Sequence, residues 1–267
     1  MLGLSGVGCT FSPSSGDAPD AEAASSTASA VVVVERLSGP SEAARNDAII
    51  ARFLRVRQGI VDEQALRIAG VAQDLPAMGT CAARIESTDL ELRAVELLDV
   101  GPLGLDDSSG RTTVLLPRAM PDPAGIVSGV FYSARSTDAF VPGARLSLHG
   151  GGGADRFEDF TVNVAAPRDM NDVRVAPLNG GLDIVWEAAD SDVRDIVYVD
   201  VAGVGNRMMT RCTTFDTGRI FVASAEIGAT EEGQVTVHRL HREGFRAKGI
   251  DPGEVRFDLA RVVPFRR

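Results

Sequence analysis

The sequence predicts an all-β protein with two β-sandwich-like domains that follow a disordered N-terminal tether. Apolar residues recur at every second position from Val31 onward, which is the periodicity of half-buried strands. Twenty-eight glycines and 13 prolines interrupt these runs, as short strands joined by turns require. At 267 residues the chain is also longer than one ordinary domain, so we expect two.

The N-terminus has the composition of an anchor and a tether. Residues 1–9 are small or apolar and end at Cys9, and residues 10–30 are almost entirely Ser, Ala, Thr, Pro, Gly, Asp and Glu. Such a segment buries too little apolar surface to offset its ordering entropy, so residues 10–30 are expected to be a disordered linker. The change at Cys9 resembles the lipobox of bacterial lipoproteins. That resemblance implies a lipid on Cys9 and a location at the bacterial cell envelope, on the periplasmic or outer-membrane surface.

Two departures from the lipoprotein pattern leave an alternative open. Secretory signals have a positively charged start and an apolar core of about 7 to 15 residues, and both are truncated or absent before Cys9. Position −3 from the cysteine is Gly6, where the family prefers leucine. The alternative is a disordered N-terminus in which the cysteine is incidental.

The first predicted domain covers residues 31–166. A short helix is expected at 61–69, because Asp62 and Glu63 suit a first helical turn and Gly70 suits a helix end. The other apolar segments predict strands at 31–35, 49–56, 90–98, 112–116, 126–134, 144–149 and 157–165.

The second predicted domain covers residues 167–267 and begins at Pro167, where the apolar alternation breaks. Its length is that of one immunoglobulin-like sandwich, about 100 residues. Strands are predicted at 172–176, 182–187, 195–203, 208–213, 219–223, 234–240 and 254–261.

Two of these strands carry a family resemblance. The sequences Leu-Asp-Ile-Val-Trp at 182–186 and Ile-Val-Tyr-Val-Asp-Val at 196–201 both alternate, and each holds one aromatic residue. Together, residues 182–201 resemble strands B and C of a fibronectin type III domain. The wider layout is similar to uncharacterised envelope lipoproteins of myxobacterial type. These resemblances imply an immunoglobulin- or fibronectin-like fold and an envelope location, and they imply no reaction.

The chain contains three cysteines. If Cys9 carries the lipid, Cys81 and Cys212 remain as one possible disulfide, as in many exported proteins. The two lie 131 positions apart, so a bond would close a long loop and join the two predicted domains. The alternative is two unpaired buried thiols, because cysteine is among the most frequently buried residues.

No motif predicts a catalytic centre or a cofactor. The chain lacks the Gly-x-Ser-x-Gly turn of serine hydrolases and the His-Glu-x-x-His motif of zinc proteases. All three histidines are expected at the surface, and His238 and His241 on opposite faces of one strand. Residues 150–153 are four glycines without the lysine of a phosphate-binding loop, which predicts a hairpin turn.

An acidic loop is the one candidate metal site. Asp190, Asp192 and Asp195 fall between two predicted strands, and extracellular modules bind calcium at such loops. The spacing does not match an EF-hand, so the alternative is a solvated turn.

The charge distribution excludes one class of partner. A formal net charge of −10 repels polyphosphates, so no nucleic acid is expected. The C-terminal segment 235–267 is the exception, with eight arginines and lysines against four acidic residues. Solvated edge strands are the expected explanation, because edges often carry charge, and a docking patch is the alternative.

These observations favour a non-catalytic envelope lipoprotein with a structural or protein-binding role. Its partner would be an envelope protein or polysaccharide, and it would contact the membrane only through its lipid. The alternatives are a carbohydrate-active hydrolase, which needs two carboxylates about 5 to 10 Å apart in a cleft, and a sugar-binding module. The second needs an exposed aromatic platform, for which the chain has only one Trp and two Tyr.

Overall fold

The structure is a computed structural model that describes residues 28–39, 45–56, 60–83, 94–120, 126–136, 139–189, 195–203 and 208–267. These residues are almost entirely β-strand, which confirms the predicted all-β class. In the first half the elements are β1 (Ala28–Ser38), β2 (Asn46–Val56), α1 (Glu63–Ile68), β3 (Cys81–Ala82), β4 (Val95–Leu97), β5 (Leu103–Asp107), β6 (Thr112–Ala119), β7 (Val127–Ser136), β8 (Arg145–Gly152) and β9 (Phe157–Ala165). In the second half they are β10 (Arg174–Leu178), β11 (Gly181–Val185), β12 (Ile196–Gly203), β13 (Met208–Phe215), β14 (Arg219–Val222), α2 (Ser224–Ile227), β15 (Glu232–Ala247) and β16 (Ile250–Arg266).

Thirteen strands form one sheet, in the order β3-β13-β12-β15-β16-β1-β2-β4-β7-β6-β5-β8-β9. Its centre is the parallel pairing of β1 with β16, in which Glu35 lies opposite Asp258. Strands from both sides of Pro167 therefore share one hydrogen-bonded sheet, and the division into two domains stays a prediction. β1 begins at Ala28, so residues 28–30 belong to a strand and not to the linker.

The hairpin β15–β16 is longer than the sequence predicted, with strands of 16 and 17 residues. Residues 233–240 of β15 pair with β12 on one side and with β16 on the other, so the explanation of the basic C-terminal segment as solvated edge strands is wrong for this part. Among the described strands, residues 241–247 of β15 pair with β16 alone, and Arg246 there is 82% exposed. Arg239 and Arg256 on these strands are only 1% and 4% exposed. Their guanidinium groups are part of the interior hydrogen bonding.

The C-terminal strands form a sandwich of two facing layers. The small sheet β10-β11-β14 packs on β12, β13 and β15, and the core between them includes Leu182 and Ile184 of β11 and Val197 and Val199 of β12. The segment that resembles fibronectin strands B and C is thus divided between two facing layers. Strands B and C of immunoglobulin-like sandwiches are divided in the same way.

The N-terminal strands cover both faces of β1 and β2. On one face the end of the sheet formed by β5, β8 and β9 folds back over β1, β2 and β16, so that Leu148 and Phe160 share a core with Phe53 and Phe257. On the other face α1 packs against β1, β2 and β4. This helix begins as predicted, where the Asp62 carboxylate accepts the N–H of residue 65 at 2.9 Å.

Two buried arginines hold the segment that follows Pro167. Arg36 on β1 donates to both carboxylate oxygens of Asp169 at 3.1 Å. Arg239 on β15 donates to the carbonyls of Arg168 and Asp169 at 3.2 and 3.0 Å. The segment between the two predicted domains is therefore fixed by charge-assisted hydrogen bonds to both halves of the sheet.

The glycine run makes the predicted hairpin between β8 and β9. Gly152 and Gly153 have φ angles of 82° and 68°, which side-chain-bearing residues rarely adopt. The first three glycines lie at the end of β8, and the turn itself covers residues 153–156. No helix in the described part of the chain is long and apolar enough to cross a membrane.

Candidate functional site

An open cleft of about 650 Å³ lies on the outer face of the large sheet. Its floor is made by β12, β13, β16 and β1, and its wall by α1, the segment 72–76 and β3. The charged and hydroxyl side chains that line it are Glu35, Glu63, Arg67, Asp74, Tyr198, Arg211 and Asp258.

Strand alternation explains why the floor is polar. In β12 the valines at 197, 199 and 201 face the core, so Tyr198 and Asp200 point to the other side. In β16 the side chains of Phe257 and Leu259 face the core, so Asp258, which lies between these two residues, points to the same outer face as Tyr198. Since these strands are close neighbours in the sheet, their polar side chains meet in one row.

Asp258 is held by two hydrogen bonds. Its Oδ2 accepts the Tyr198 hydroxyl at 2.5 Å, and its Oδ1 lies 2.8 Å from His238 Nδ1. Burial acts to raise the pKa of Asp258, but the charge of His238 and the hydrogen bonds from His238 and Tyr198 outweigh it and lower the pKa below 3.8. Burial and then the Asp258 charge raise the pKa of Tyr198 well above 10. Asp258 is therefore ionised, and Tyr198 remains a hydrogen-bond donor.

The two arginines in the described part of the cleft lining are already paired. Arg211 donates from Nε and Nη2 to the two carboxylate oxygens of Asp200, at 2.6 and 2.7 Å. Arg67 donates from Nη2 to Asp74 at 2.6 Å and to Glu63 at 3.4 Å. Their positive charge is thus balanced within the protein.

Glu35 differs from the other acids of the cleft. Among the described residues no donor lies within hydrogen-bonding distance of its carboxylate. Although much of the side chain is exposed to the cleft, the protein around the carboxyl group and then the charge of Asp258 raise the pKa of Glu35 above 4.5. His238 and Arg52 lower this pKa more weakly. The cleft therefore holds a carboxyl group with a raised pKa beside an ionised carboxylate.

The wall of the cleft is attached to its floor by arginines and by a disulfide. Arg256 donates to the carbonyl of Val71, and Arg242 donates to the side chain of Gln73. Arg211 donates to the carbonyl of Asp74. Beyond them, Cys81 of β3 is bonded to Cys212 of β13, with Cα atoms 4.0 Å apart. This confirms the predicted disulfide, and the alternative of two free thiols does not hold in the structure.

The other predicted site residues do not join this cleft. Cys9, Asp190 and Asp192 lie outside the described residues, so the lipid and the calcium site stay predictions. Asp195 is buried, with Oδ1 2.5 Å from His241 Nδ1, and faces the interior instead of a solvated loop. The described residues include no group of three or more side chains that could hold a metal ion.

The expected surface position of the histidines is wrong for two of the three. His241 is 5% exposed, and His238 is largely buried against Asp258. Their predicted positions on opposite faces are confirmed, because His238 contacts the cleft floor and His241 contacts Asp195 on the other face. His149 is exposed, as predicted.

Glu35, Tyr198 and Asp258 are not among the site residues that the sequence predicts. The available signal was a polar residue at an outward position of an otherwise valine-rich strand, as in Val31–Val34 followed by Glu35. Many surface strands share this signal, so it becomes specific only when the neighbouring strands are known.

The fold and the site together define an acidic, disulfide-linked, sandwich-like β protein with an open cleft lined by carboxylates. In comparisons with known proteins, no family model matches the chain, and no curated protein matches it.

Proposed function

We propose that this protein is a non-catalytic, lipid-anchored protein of the bacterial cell envelope whose cleft binds a cationic group on an envelope partner. The observation that carries this proposal is the carboxylate of Glu35, which has no donor among the described residues although both lining arginines are paired. An ammonium or guanidinium group would supply the missing donor. It would also offset the repulsion between Glu35 and Asp258.

The charge of the cleft supports a cationic ligand. Among the described residues, four carboxylates line it against two guanidinium groups, which leaves an excess of two negative charges when all are ionised. A lysine or arginine side chain of an envelope protein, or the amino group of an envelope polysaccharide, has the complementary charge. Nucleic acid does not, and the net charge of −10 acts against it as well.

The envelope location is proposed from the N-terminal sequence and supported by the disulfide. Disulfides persist in oxidising compartments, and a bond between Cys81 and Cys212 suits an exported protein. A flexible linker of about 20 residues after a lipid on Cys9 would hold the folded part about 25 Å from the bilayer. That distance allows contact with a neighbouring envelope component.

The first prediction concerns the pH dependence of cation binding. The guanidinium compound agmatine is expected to bind the full-length protein more tightly as the pH rises from 4.5 through the pKa of Glu35, because this pKa is raised above 4.5 and the carboxyl group gains its negative charge as the pH passes it. Calorimetric titration with agmatine at several pH values measures the affinity of the wild-type protein and of Glu35→Gln. The variant should lose most of the affinity for agmatine and most of the dependence of that affinity on pH.

The matched control is Glu226→Gln, which removes an exposed carboxylate on α2, away from the cleft. It should bind agmatine as the wild type does.

The folded state of the wild type keeps the Glu35 proton to a higher pH than the unfolded state, so the stability of the wild type falls as the pH rises from 4.5 through the folded pKa. Glu35→Gln should therefore be slightly more stable near neutral pH, by about 0.5 kcal/mol. Equal agmatine binding by wild type and Glu35→Gln would disprove the cation site.

The second prediction concerns the anchor. Mass spectrometry of the protein from membranes of its native host should find a mature chain that begins at an acylated Cys9. A Cys9→Ser variant should move to the soluble fraction without losing its fold. An unmodified Met1 on a soluble wild-type protein would remove the lipid anchor from the proposal.

A second candidate function is glycoside hydrolysis, and one observation favours it. Glu35 and Asp258 lie on directly paired residues of adjacent strands, and their pKa values are displaced in opposite directions, as in an acid and base pair. Release of reducing sugars from envelope glycans by the wild type, but not by Glu35→Gln, would replace binding by hydrolysis. A sugar-binding module has less support, because the one aromatic residue of the cleft lining, Tyr198, is 4% exposed.

A further inference from the structure

We propose that a basic groove between β6 and β7 binds an acidic peptide segment in an extended conformation. The groove is open and has a volume of about 610 Å³. The residues that the proposal uses are Arg111, Val114, Leu116, Arg118 and Arg135. The groove lies outside the acidic cleft and has the opposite charge, so this site goes beyond the proposed function.

The groove forms where two neighbouring strands separate. β6 pairs with β7 only through residues 116–119, while residues 112–115 pair with β5 on the other side. Beyond Ser133, β7 pairs with β2. In the described part of the chain no strand pairs with the edges of 112–115 and 134–135 that face the groove. An open strand edge is the kind of surface to which an extended peptide adds by main-chain hydrogen bonds.

The charge of the groove selects an acidic ligand. Among the described residues, its lining holds three arginines and no carboxylate. Arg111 lies 3.5 Å from the Asp107 carboxylate. Arg118 and Arg135 are exposed and have no ion-pair partner among the described residues. Arginine binds carboxylates through two parallel N–H···O bonds, so these two side chains are suited to glutamate or aspartate on a ligand.

Exposed apolar side chains between the arginines add a second element of recognition. Val114 is 60% exposed and Leu116 is 53% exposed, on the outward face of β6, while Leu115 between them is buried. An extended peptide presents its side chains alternately to opposite faces. A segment that alternates apolar and acidic residues can therefore contact Val114 and Leu116 while its carboxylates reach the arginines.

The net charge of the protein favours a short peptide over a long polyanion. The protein as a whole is strongly acidic, with a formal net charge of −10 that already includes the groove arginines. Nucleic acid, an anionic polysaccharide or an anionic bilayer extends past the groove and meets this negative field, which acts over about 8 to 10 Å at moderate salt. A peptide of about six residues, at about 3.3 Å each, stays largely within the groove.

The test uses the full-length protein and a fluorescein-labelled peptide of sequence Val-Glu-Val-Glu-Val-Glu. Fluorescence anisotropy should show saturable binding that weakens with salt, and the Gln counterpart of the peptide should bind at least about tenfold more weakly. Arg118→Gln and Arg135→Gln should each weaken binding about tenfold, and Leu116→Ser should weaken it without changing the salt dependence.

Arg246→Gln is the matched control, because Arg246 is 82% exposed on β15 and does not line the groove. It should bind the peptide as the wild type does. The proposal is overturned if the acidic and Gln peptides bind equally, if both groove variants match the wild type, or if oligo-dT or anionic phosphatidylglycerol vesicles bind more tightly than the peptide. Agmatine binding in the cleft should be unchanged in the groove variants, so failure here is distinguishable from failure of the proposed function.

Discussion

Replacement of Arg36 by methionine is expected to lower the free energy of unfolding by about 3 to 5 kcal/mol. The side chains of Arg36 and its partner Asp47 are 1% and 0% exposed, and the guanidinium group also donates to the carbonyl of Phe140. Without the arginine, the Asp47 carboxylate would be left in the interior with the backbone N–H of residue 139 and the weaker contact of Arg45, whose Nε lies 3.5 Å from Oδ1. Urea denaturation followed by circular dichroism at pH 7 measures the loss.

Two further variants distinguish the effect of an unpaired buried charge on stability from the effect of losing a large side chain. Arg246→Met removes an exposed arginine paired with Asp251 and should change stability by less than about 1 kcal/mol. Arg36→Met combined with Asp47→Leu removes both buried charges and should recover most of the loss. A single Arg36→Met variant within about 1 kcal/mol of the wild type would contradict this account of the interior.

The same pair predicts a pH dependence with a definite sign. Burial acts to raise the pKa of Asp47, but the hydrogen bond from Arg36 leads the interactions that outweigh it, so the pKa lies below 3.8. The stabilising contribution of the pair is therefore present above pH 3.8 and is lost as the pH falls through the folded pKa. The difference between wild type and Arg36→Met should accordingly shrink in acid.

Removal of the disulfide is expected to have an effect of similar size. In the chain-entropy model, a loop of 131 residues corresponds to about 5 kcal/mol, so Cys81→Ala with Cys212→Ala should approach this loss. The bond also holds β3, which has only two residues, against β13. Because β3 is part of the cleft wall, the double variant should bind agmatine more weakly than the wild type.

Reducing agent provides the internal control for the disulfide. Dithiothreitol should lower the unfolding midpoint of the wild type towards that of the double variant and leave the double variant unchanged. A wild-type midpoint that does not respond to complete reduction, verified by thiol titration, would contradict the predicted stabilisation.

The elements that the sequence predicted well are those with a local signal. Valine alternation at 197, 199 and 201 located β12 and its buried face. The glycine run located the hairpin after β8, because few other residues adopt positive φ angles. The count of three cysteines pointed to the Cys81–Cys212 pair before any contact was known.

The elements that the sequence missed depend on distant neighbours. β5 contains Gly104 and ends in two aspartates, a composition typical of a loop. In the folded protein Gly104 is paired with His149 of β8, and a Cβ at 104 would lie 2.6 Å from the ring of that histidine. The lengths of β15 and β16 were underestimated because their outer halves are ordered by pairing with each other and, for β16, with β1.

The sequence by itself determined the all-β class and the faces of most strands, because residue periodicity and composition are local properties. Only the tertiary structure decided which strands are neighbours. The parallel pairing of β1 with β16 brings Glu35 beside Asp258, although the two residues lie near opposite ends of the chain. Strand pairing is decided by the combined burial of both faces of a sheet, which no single segment encodes, and the cleft exists only because of it.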